Sequence, residues 1–466
     1  MAFDIEISKR TYVLMVIQTA IIQIVNGIME NYRSMMFPAL RTEFELSYDS
    51  LSYIQAILGY LYVGFGYLAT ICAEKTNCKI TYLIGLVSWL IGCVGLFFSY
   101  QLWLVIVFLI VIWFGMGFIH IANNALTTVI FVKNKGVMIS YTHFIYGIGT
   151  FLSPIISSNV NPRFEYGFRS SYFLLTAYLI IAIVYVSCVP YDYKVIVKTV
   201  DKEKKTKKAL TSKELIKHPH LWLFALTDSF IMLLSYCTLD WGLIYLEDMY
   251  GWDPNDQGAT FMKIFTLTYT IGRIIFSCFY QKIGYFQSVL IFLFLSFVLY
   301  VIGFAINESG VYLLACTGLF IGPLWPLIVC CCMEFWEESA PSATSLMITV
   351  QGLFKEIFNL MIGYANQYIN NTLGYRLTMV FSIIGIFGII WLLLILKKKR
   401  RIQELEEQEI KKDIELAVVE EEQKEISNNA EAMKEVKSDE AVNNEATAEQ
   451  TSAEEGDSKI VVENPQ

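Results

Sequence analysis

Apolar segments long enough to cross a hydrocarbon core of about 30 Å recur along the whole chain, and no other feature restricts its fold so tightly. Lipid offers the backbone no hydrogen-bond partner, so each segment must satisfy its own amides and carbonyls, and segments of this length do so as helices. They fall at roughly 11–38, 50–72, 79–99, 102–132, 136–158, 170–190, 220–246, 258–282, 286–306, 310–335, 342–367 and 375–396. The pattern is six, a break, and six more. It predicts an all-α membrane protein of about twelve transmembrane helices in two six-helix halves. Composition agrees: 55% of the 466 residues are hydrophobic and 17% are charged, against roughly 25% charged in an average soluble domain.

The charges divide the chain further. Residues 402–466 hold 20 acidic and 6 basic residues, which leaves the preceding part mildly basic although the whole chain carries −8. The break contains VKTVDKEKKTKKALTSKELIKHPH and is strongly basic, so the positive-inside rule puts it in the cytosol. Lys75, Lys79, Lys133, Lys135, Lys282 and the run Lys397–Arg401 fall on the same side under a twelve-span count. Both termini are then expected in the cytosol. The organisation reads as a first half over 1–190, a basic cytosolic linker over 191–219, a second half over 220–400 and an acidic, disordered cytosolic tail over 401–466. The sequons at Asn307 and Asn370 land in loops on the opposite side, as glycosylation would require.

Several function classes drop out. The ten cysteines lie in apolar stretches or beside the basic loop after Cys72, with no zinc-type spacing, so neither a metal site nor a disulfide framework is expected. No pattern for nucleic acid or an organic cofactor is present. The opening MAFDIEISKR leads into an apolar segment longer than a signal core, so the first helix is expected to serve as the targeting signal.

Ionisable groups in a bilayer are costly, so their placement carries information. Spans 3, 6, 9 and 12 contain essentially none. The others carry polar groups at depth, including Gln18, Gln23, Asn26, Glu30 and Arg33 in span 1, and His120, Asn123 and Asn124 in span 4. His143 follows in span 5, Asp228 and Asp240 in span 7, Lys263 and Arg273 in span 8, and Gln351, Lys355, Glu356 and Asn359 in span 11. Every third helix is fit to face lipid, and the remaining eight can surround a polar path. Glu30 and Arg33 stand one turn apart and can neutralise each other. Lys355 and Glu356 point about 100° apart on a helix, so they are not expected to pair with each other and at least one should find a partner across the cavity. Asp228 reads as a gate or ion-pair group.

At this point the chain resembles the major facilitator superfamily, and within it the fucose permease-like branch with its fungal "bypass of stop codon" relatives. The loop Glu74-Lys75-Thr76-Asn77-Cys78-Lys79 looks like the superfamily's acidic and basic loop between spans 2 and 3, with Asn77 in the usual glycine position. Gly272-Arg273 and Gln281-Lys282-Ile283-Gly284 repeat it weakly. Thr142-His143-Phe144-Ile145-Tyr146-Gly147-Ile148-Gly149 with Pro154, and Gly322-Pro323-Leu324-Trp325-Pro326, look like signatures of the branch. Where the fucose permease pattern has two acids, this chain has Ser34 and His120.

The resemblance implies a transporter rather than an enzyme. The expected function is uniport or proton symport of a small polar solute, with a monosaccharide favoured, by alternating access. An organic-anion or drug exporter is the alternative, as is a nutrient receptor signalling through the acidic tail; a membrane acyltransferase using His143 or His120 is disfavoured by the two-half pattern. Substrate contacts are assigned to Asn26, His120, Asn123, Asn124, His143, Tyr146, Tyr236, Trp325, Gln351 and Asn359, proton coupling or ion pairing to Glu30, Arg33, Asp240, Lys355 and Glu356, and gating to Glu74, Lys75, Lys79, Arg273, Gln281 and Lys282. The expected partners are a small-molecule substrate, protons and the lipid bilayer, with a functional monomer. The plasma membrane is the favoured address, and a vacuolar or other endomembrane the alternative.

Overall fold

The structure is a computed structural model, and it describes residues 2–130, 135–191, 193–198, 210–276 and 280–406, with 408, 409, 412, 416, 423 and 424 beyond them. The linker at 192 and 199–209 and most of the acidic tail therefore lie outside the described residues. Residues 1–393 form one compact unit and 394–466 a second.

Helices occupy all twelve expected positions. In chain order they are α1 (Lys9–Asn31), α2 (Arg33–Glu43), α3 (Tyr48–Lys75), α4 (Cys78–Phe97), α5 (Leu102–Ile130), α6 (Lys135–Val160), α7 (Phe168–Cys188), α8 (Ser212–Lys217), α9 (Pro219–Tyr250), α10 (Gln257–Phe276) and α11 (Tyr280–Ile283). They continue as α12 (Tyr285–Ala305), α13 (Val311–Cys316), α14 (Gly318–Ile321), α15 (Leu324–Trp336), α16 (Ala340–Tyr368), α17 (Leu373–Arg376) and α18 (378–406). Among the described residues nine stretches are long and apolar enough to cross a membrane, and one of them, Asn307–Tyr368, covers two of the expected spans. Helices α6 and α10 are outside those nine and carry His143, Tyr146, Lys263 and Arg273 instead.

Side-chain caps start several helices. Ser8 accepts from the Thr11 amide, Ser47 from Ser50, and Asn77 from Ile80, each filling an orphan donor of a first turn. The first span, expected as one helix, breaks at Tyr32. Asn31 there donates to the Gly27 carbonyl and Ser34 to the Asn31 carbonyl, so side chains compete with the backbone ladder just ahead of Pro38. The tenth span is likewise split into α13, α14 and α15 around Thr317 and Gly322-Pro323.

The described part of the linker pairs with the start of the chain. Ala2–Ile7 (β1) pairs antiparallel with Tyr193–Lys198 (β2), with Phe3, Ile5 and Ile7 in register with Val197, Val195 and Tyr193. The alternation in AFDIEI is a strand pattern of period two, outweighed in the sequence by the apolar run behind it. Past the undescribed residues, α8 opens with a capping box between Thr211 and Glu214.

Glycines set the closest helix approaches. A Cβ on Gly27 would strike the Tyr146 carbonyl and one on Gly149 the Ile24 carbonyl, so α1 and α6 touch backbone to backbone. Gly272 against Leu319, Gly318 against Phe265 and Gly322 against Tyr269 do the same for α10 and α14. Apolar side chains project outward from α4 (Val87, Ile91), α7 (Leu174, Ile181), α12 (Ile291, Phe294) and α18 (Phe387, Trp391), the four helices without ionisable interiors. The two halves meet where α3 packs on α16, α6 on α10, and α2 on α9.

Candidate functional site

Polar side chains from both halves converge where α1 and α2 face α9 and α16. Arg33 reaches across to Asp240, with Nε 3.2 Å from Oδ1, and both side chains are buried. The contact lacks hydrogen-bond alignment, since Arg33 Nε and Nη2 and Asp240 Oδ1 have no hydrogen-bond partner. It is an electrostatic pair, in a setting where its strength rises with the low dielectric. The Arg33 guanidinium also lies 4.4 Å from the ring centroid of Tyr236, and the Lys355 ammonium 3.8 Å from the same ring.

Lys355 and Glu356 meet at 2.5 Å, contrary to the expectation from their 100° separation. Their long stems bend toward each other because both are confined between the halves. Glu356 at the same time fills the space beside Gly59 of α3, where a Cβ would collide with its carboxyl. Glu30 does not pair with Arg33. Its Oε2 accepts from the Tyr146 hydroxyl at 2.6 Å, and Asn31 supports that tyrosine's neighbourhood through Thr150 at 3.2 Å. Of these three carboxyl groups, Asp240 and Glu356 meet cations within ion-pair distance and Glu30 is held by a phenol.

Around this centre, Arg273 donates to the Gly322 carbonyl at 3.0 Å and the Tyr269 hydroxyl at 2.7 Å, with its guanidinium 5.5 Å from the Tyr146 ring. From α10, as its place in span 8 implied, it braces the break in the tenth span. His143 and Trp325 meet edge to face at 5.6 Å across the halves. Asn359 accepts from the Trp241 indole at 2.8 Å and donates to Gln55 of α3 at 3.0 Å. Gln351 is buried, and its carbonyl accepts from Ser229 at 3.2 Å.

Other sequence candidates lie elsewhere. Asn26 donates to Gln23 within its own helix at 3.4 Å. Asn123 accepts from Tyr82 of α4 at 3.3 Å, inside the first half, and Asn124 is exposed. His120, by contrast, borders the centre: it is half-buried, meets Tyr62 edge to face at 6.4 Å and lies within electrostatic reach of Glu30. Glu74 and Lys75 are exposed at the end of α3, and Lys282 is exposed as well, while the side chain of Gln281 is outside the described residues. Lys79 donates to the Ser187 and Val189 carbonyls at 2.7 and 2.9 Å, a cation closing the C-terminus of α7. Asn307 and Asn370 are exposed, and the Asn370 side chain accepts from Thr372.

One cluster was not anticipated. At the Tyr48 end of the bundle, Asp248 of α9 accepts from Tyr48 at 2.7 Å and Arg41 at 3.3 Å. The Tyr48 amide donates to Gln367 of α16 at 3.0 Å, and the hydroxyls of Tyr53 and Tyr364 meet. These residues sit at helix ends, where polar side chains read as loop, and only the pairing of the halves gives them a role.

The family profile described as Major Facilitator Superfamily matches residues 19–355. Among solved structures, the chain is similar to the fucose:proton symporter FucP of E. coli, at 13% identity and TM-score 0.59 over 82% of this chain and 99% of that one. It is similar to a bacterial homolog of the human lysosomal transporter Spinster, at 12% identity and TM-score 0.63 over 84% and 98%. A third is a point mutant of the nucleoside transporter NupG, at 14% identity and TM-score 0.64 over 81% and 99%. No curated protein matches.

Proposed function

The chain belongs to the Major Facilitator Superfamily of multi-pass membrane transporters, and from that premise we propose that it moves a small neutral polar solute, a monosaccharide by preference, in symport with protons. Twelve membrane crossings and cytosolic termini complete the reading, with the plasma membrane as its favoured address. The observation that carries it is the unequal partnering at the centre. Arg33 and Lys355 each meet a carboxyl within ion-pair distance, whereas Glu30 is held by the Tyr146 hydroxyl, with Arg33 and His120 within electrostatic reach. Intramembrane carboxyls that face a polar path mark proton relays in transporters. The organic-anion reading is disfavoured because the two cations best placed to attract an anion are already engaged.

The seams support alternating access. The polar contacts between the halves gather from the middle of the bundle to the Tyr48 end, while Glu74 and Lys75 at the other end are exposed. Charge distribution assigns the Lys75 end to the cytosol, so the conformation reads as closed outward. Transport then requires Asp248 to release Tyr48 and Arg41 while the other end closes.

Uptake of a radiolabelled sugar panel into proteoliposomes, with and without an inward proton gradient, is the test. Gradient-stimulated uptake is expected, with Glu30→Gln losing accumulation but keeping solute exchange. Absence of hexose or pentose uptake above empty vesicles would overturn the sugar assignment.

A further inference from the structure

The second half buries one acid that this site does not use. Asp228 lies on α9 twelve residues before Asp240, about 18 Å toward the Pro219 end at 1.5 Å per residue. Its side chain is 0% exposed, and neither carboxyl oxygen has a hydrogen-bond partner. The seam around it is closed on three sides. Thr227 beside it abuts Gly388 of α18, Ser229 on its other side donates to the Gln351 backbone carbonyl of α16, and α15 packs on α9 with Phe335 against Phe224, one turn from Asp228.

The groups that face it are few. On α15 the Cys332 thiol is within electrostatic reach of Asp228, and Glu334 lies half-buried further along that helix. On α16 the Thr344 hydroxyl is buried beside Cys332, while Lys355 and Glu356 are held by each other. Residues 378–393 of α18 include no ionisable side chain. On α9 itself His220 stands two turns away, and the lysines of α8, Lys213 and Lys217, are exposed. Among the described residues, no cation offsets the carboxyl.

An ionised carboxylate sealed in such surroundings costs several kcal/mol when neither a cation nor a donor compensates it, whereas the neutral acid does not carry that cost. We propose that Asp228 is a proton-binding site of the second half, occupied in this conformation and emptied when the seam of α9, α15 and α16 opens. In that step the carboxyl O–H bond breaks and the proton passes to water admitted by the opening. By linkage, whatever opens the seam weakens proton binding, and proton binding holds the seam shut. The site is separate from Glu30 and does not depend on which solute is carried.

Infrared spectroscopy of the full-length protein in lipid nanodiscs tests this without any substrate, so its outcome stands apart from that of the sugar assay. With aspartate labelled by carbon-13 at the carboxyl, the wild type is expected to show an isotope-shifted band of un-ionised acid at neutral pH. Asp228→Asn should lose it. Asp228→Glu should replace it with an unshifted acid band, which keeps the test decisive if the asparagine variant does not fold. A wild-type spectrum without a shifted acid band, or one whose acid band survives in both variants, would overturn the proposal. Site-resolved alkylation of Cys332 reads the seam: the rate should rise more with pH in the wild type than in Asp228→Asn. Identical pH profiles would remove the coupling.

Discussion

Arg33 is fixed by what its removal from water demands. A buried guanidinium without a counter-charge is strongly unfavourable, and its counter-charge comes from Asp240, 207 positions away in the chain. Asp240→Ala is therefore expected to lower stability by about 3–5 kcal/mol, read as a drop in melting temperature in detergent, with Arg33→Leu added in the same chain restoring much of it. If the double variant were no more stable than the single one, the pair would not be what holds these residues. Gly59→Ala should be felt at the same place, because its Cβ would enter the space of the Glu356 carboxyl and push it off Lys355. The sequence identified Arg33, Glu30 and Asp240 as costly groups with a purpose, yet it paired Arg33 with the nearer acid. Spacing along one helix reports only neighbours within a turn, and the choice between Glu30 and Asp240 was made by how α2 meets α9.

At the scale of elements, glycine placement separates contact from bystander. Gly149→Ala and Gly272→Ala put a methyl into a facing backbone, and overpacking of this kind costs about 1–3 kcal/mol. Gly64→Ala in α3 meets nothing within 4 Å, so it should leave stability unchanged or improve it by up to about 1 kcal/mol through helix propensity. Thermal unfolding of the three variants side by side checks this, and equal losses would sink it. The twelve helical segments were legible because an apolar run of more than twenty residues has one stable form in lipid. The breaks inside the first and tenth spans were foreshadowed by Pro38 and Pro323 but could not be located from them, since the side chains of Asn31, Ser34 and Thr317 decide where the ladder yields. The four outward-facing helices were legible for the converse reason: a helix with no ionisable interior has nothing to hide from lipid.

For the whole molecule, Arg41 and Tyr48 of the first half meet Asp248 of the second, the contact proposed to release during transport. Tyr48→Phe removes one hydrogen bond of about 1 kcal/mol, roughly a fivefold change in the ratio of the two conformations. Spin-label distances across the Tyr48 end would report it, and an unchanged distribution would deny the contact a role. Both sequons lie at this same end, Asn370 beyond α16 and Asn307 beside Glu308, which accepts from Trp252 just past α9. Asn307→Gln and Asn370→Gln should each remove a glycan-dependent mobility shift if that end faces away from the cytosol. Removing residues 402–466 should leave flux intact. The pairing of β1 with β2 bears on how the chain is made. Until residue 198 has left the ribosome, Ala2–Ile7 has no strand to bind, and once it has, helices α1 to α7 between them are gathered into a closed loop before α9 has fully emerged. The first half can thus be sealed and released by the insertion machinery as a finished piece, and a bulky fusion placed directly before Ala2 would be felt first at that moment of birth.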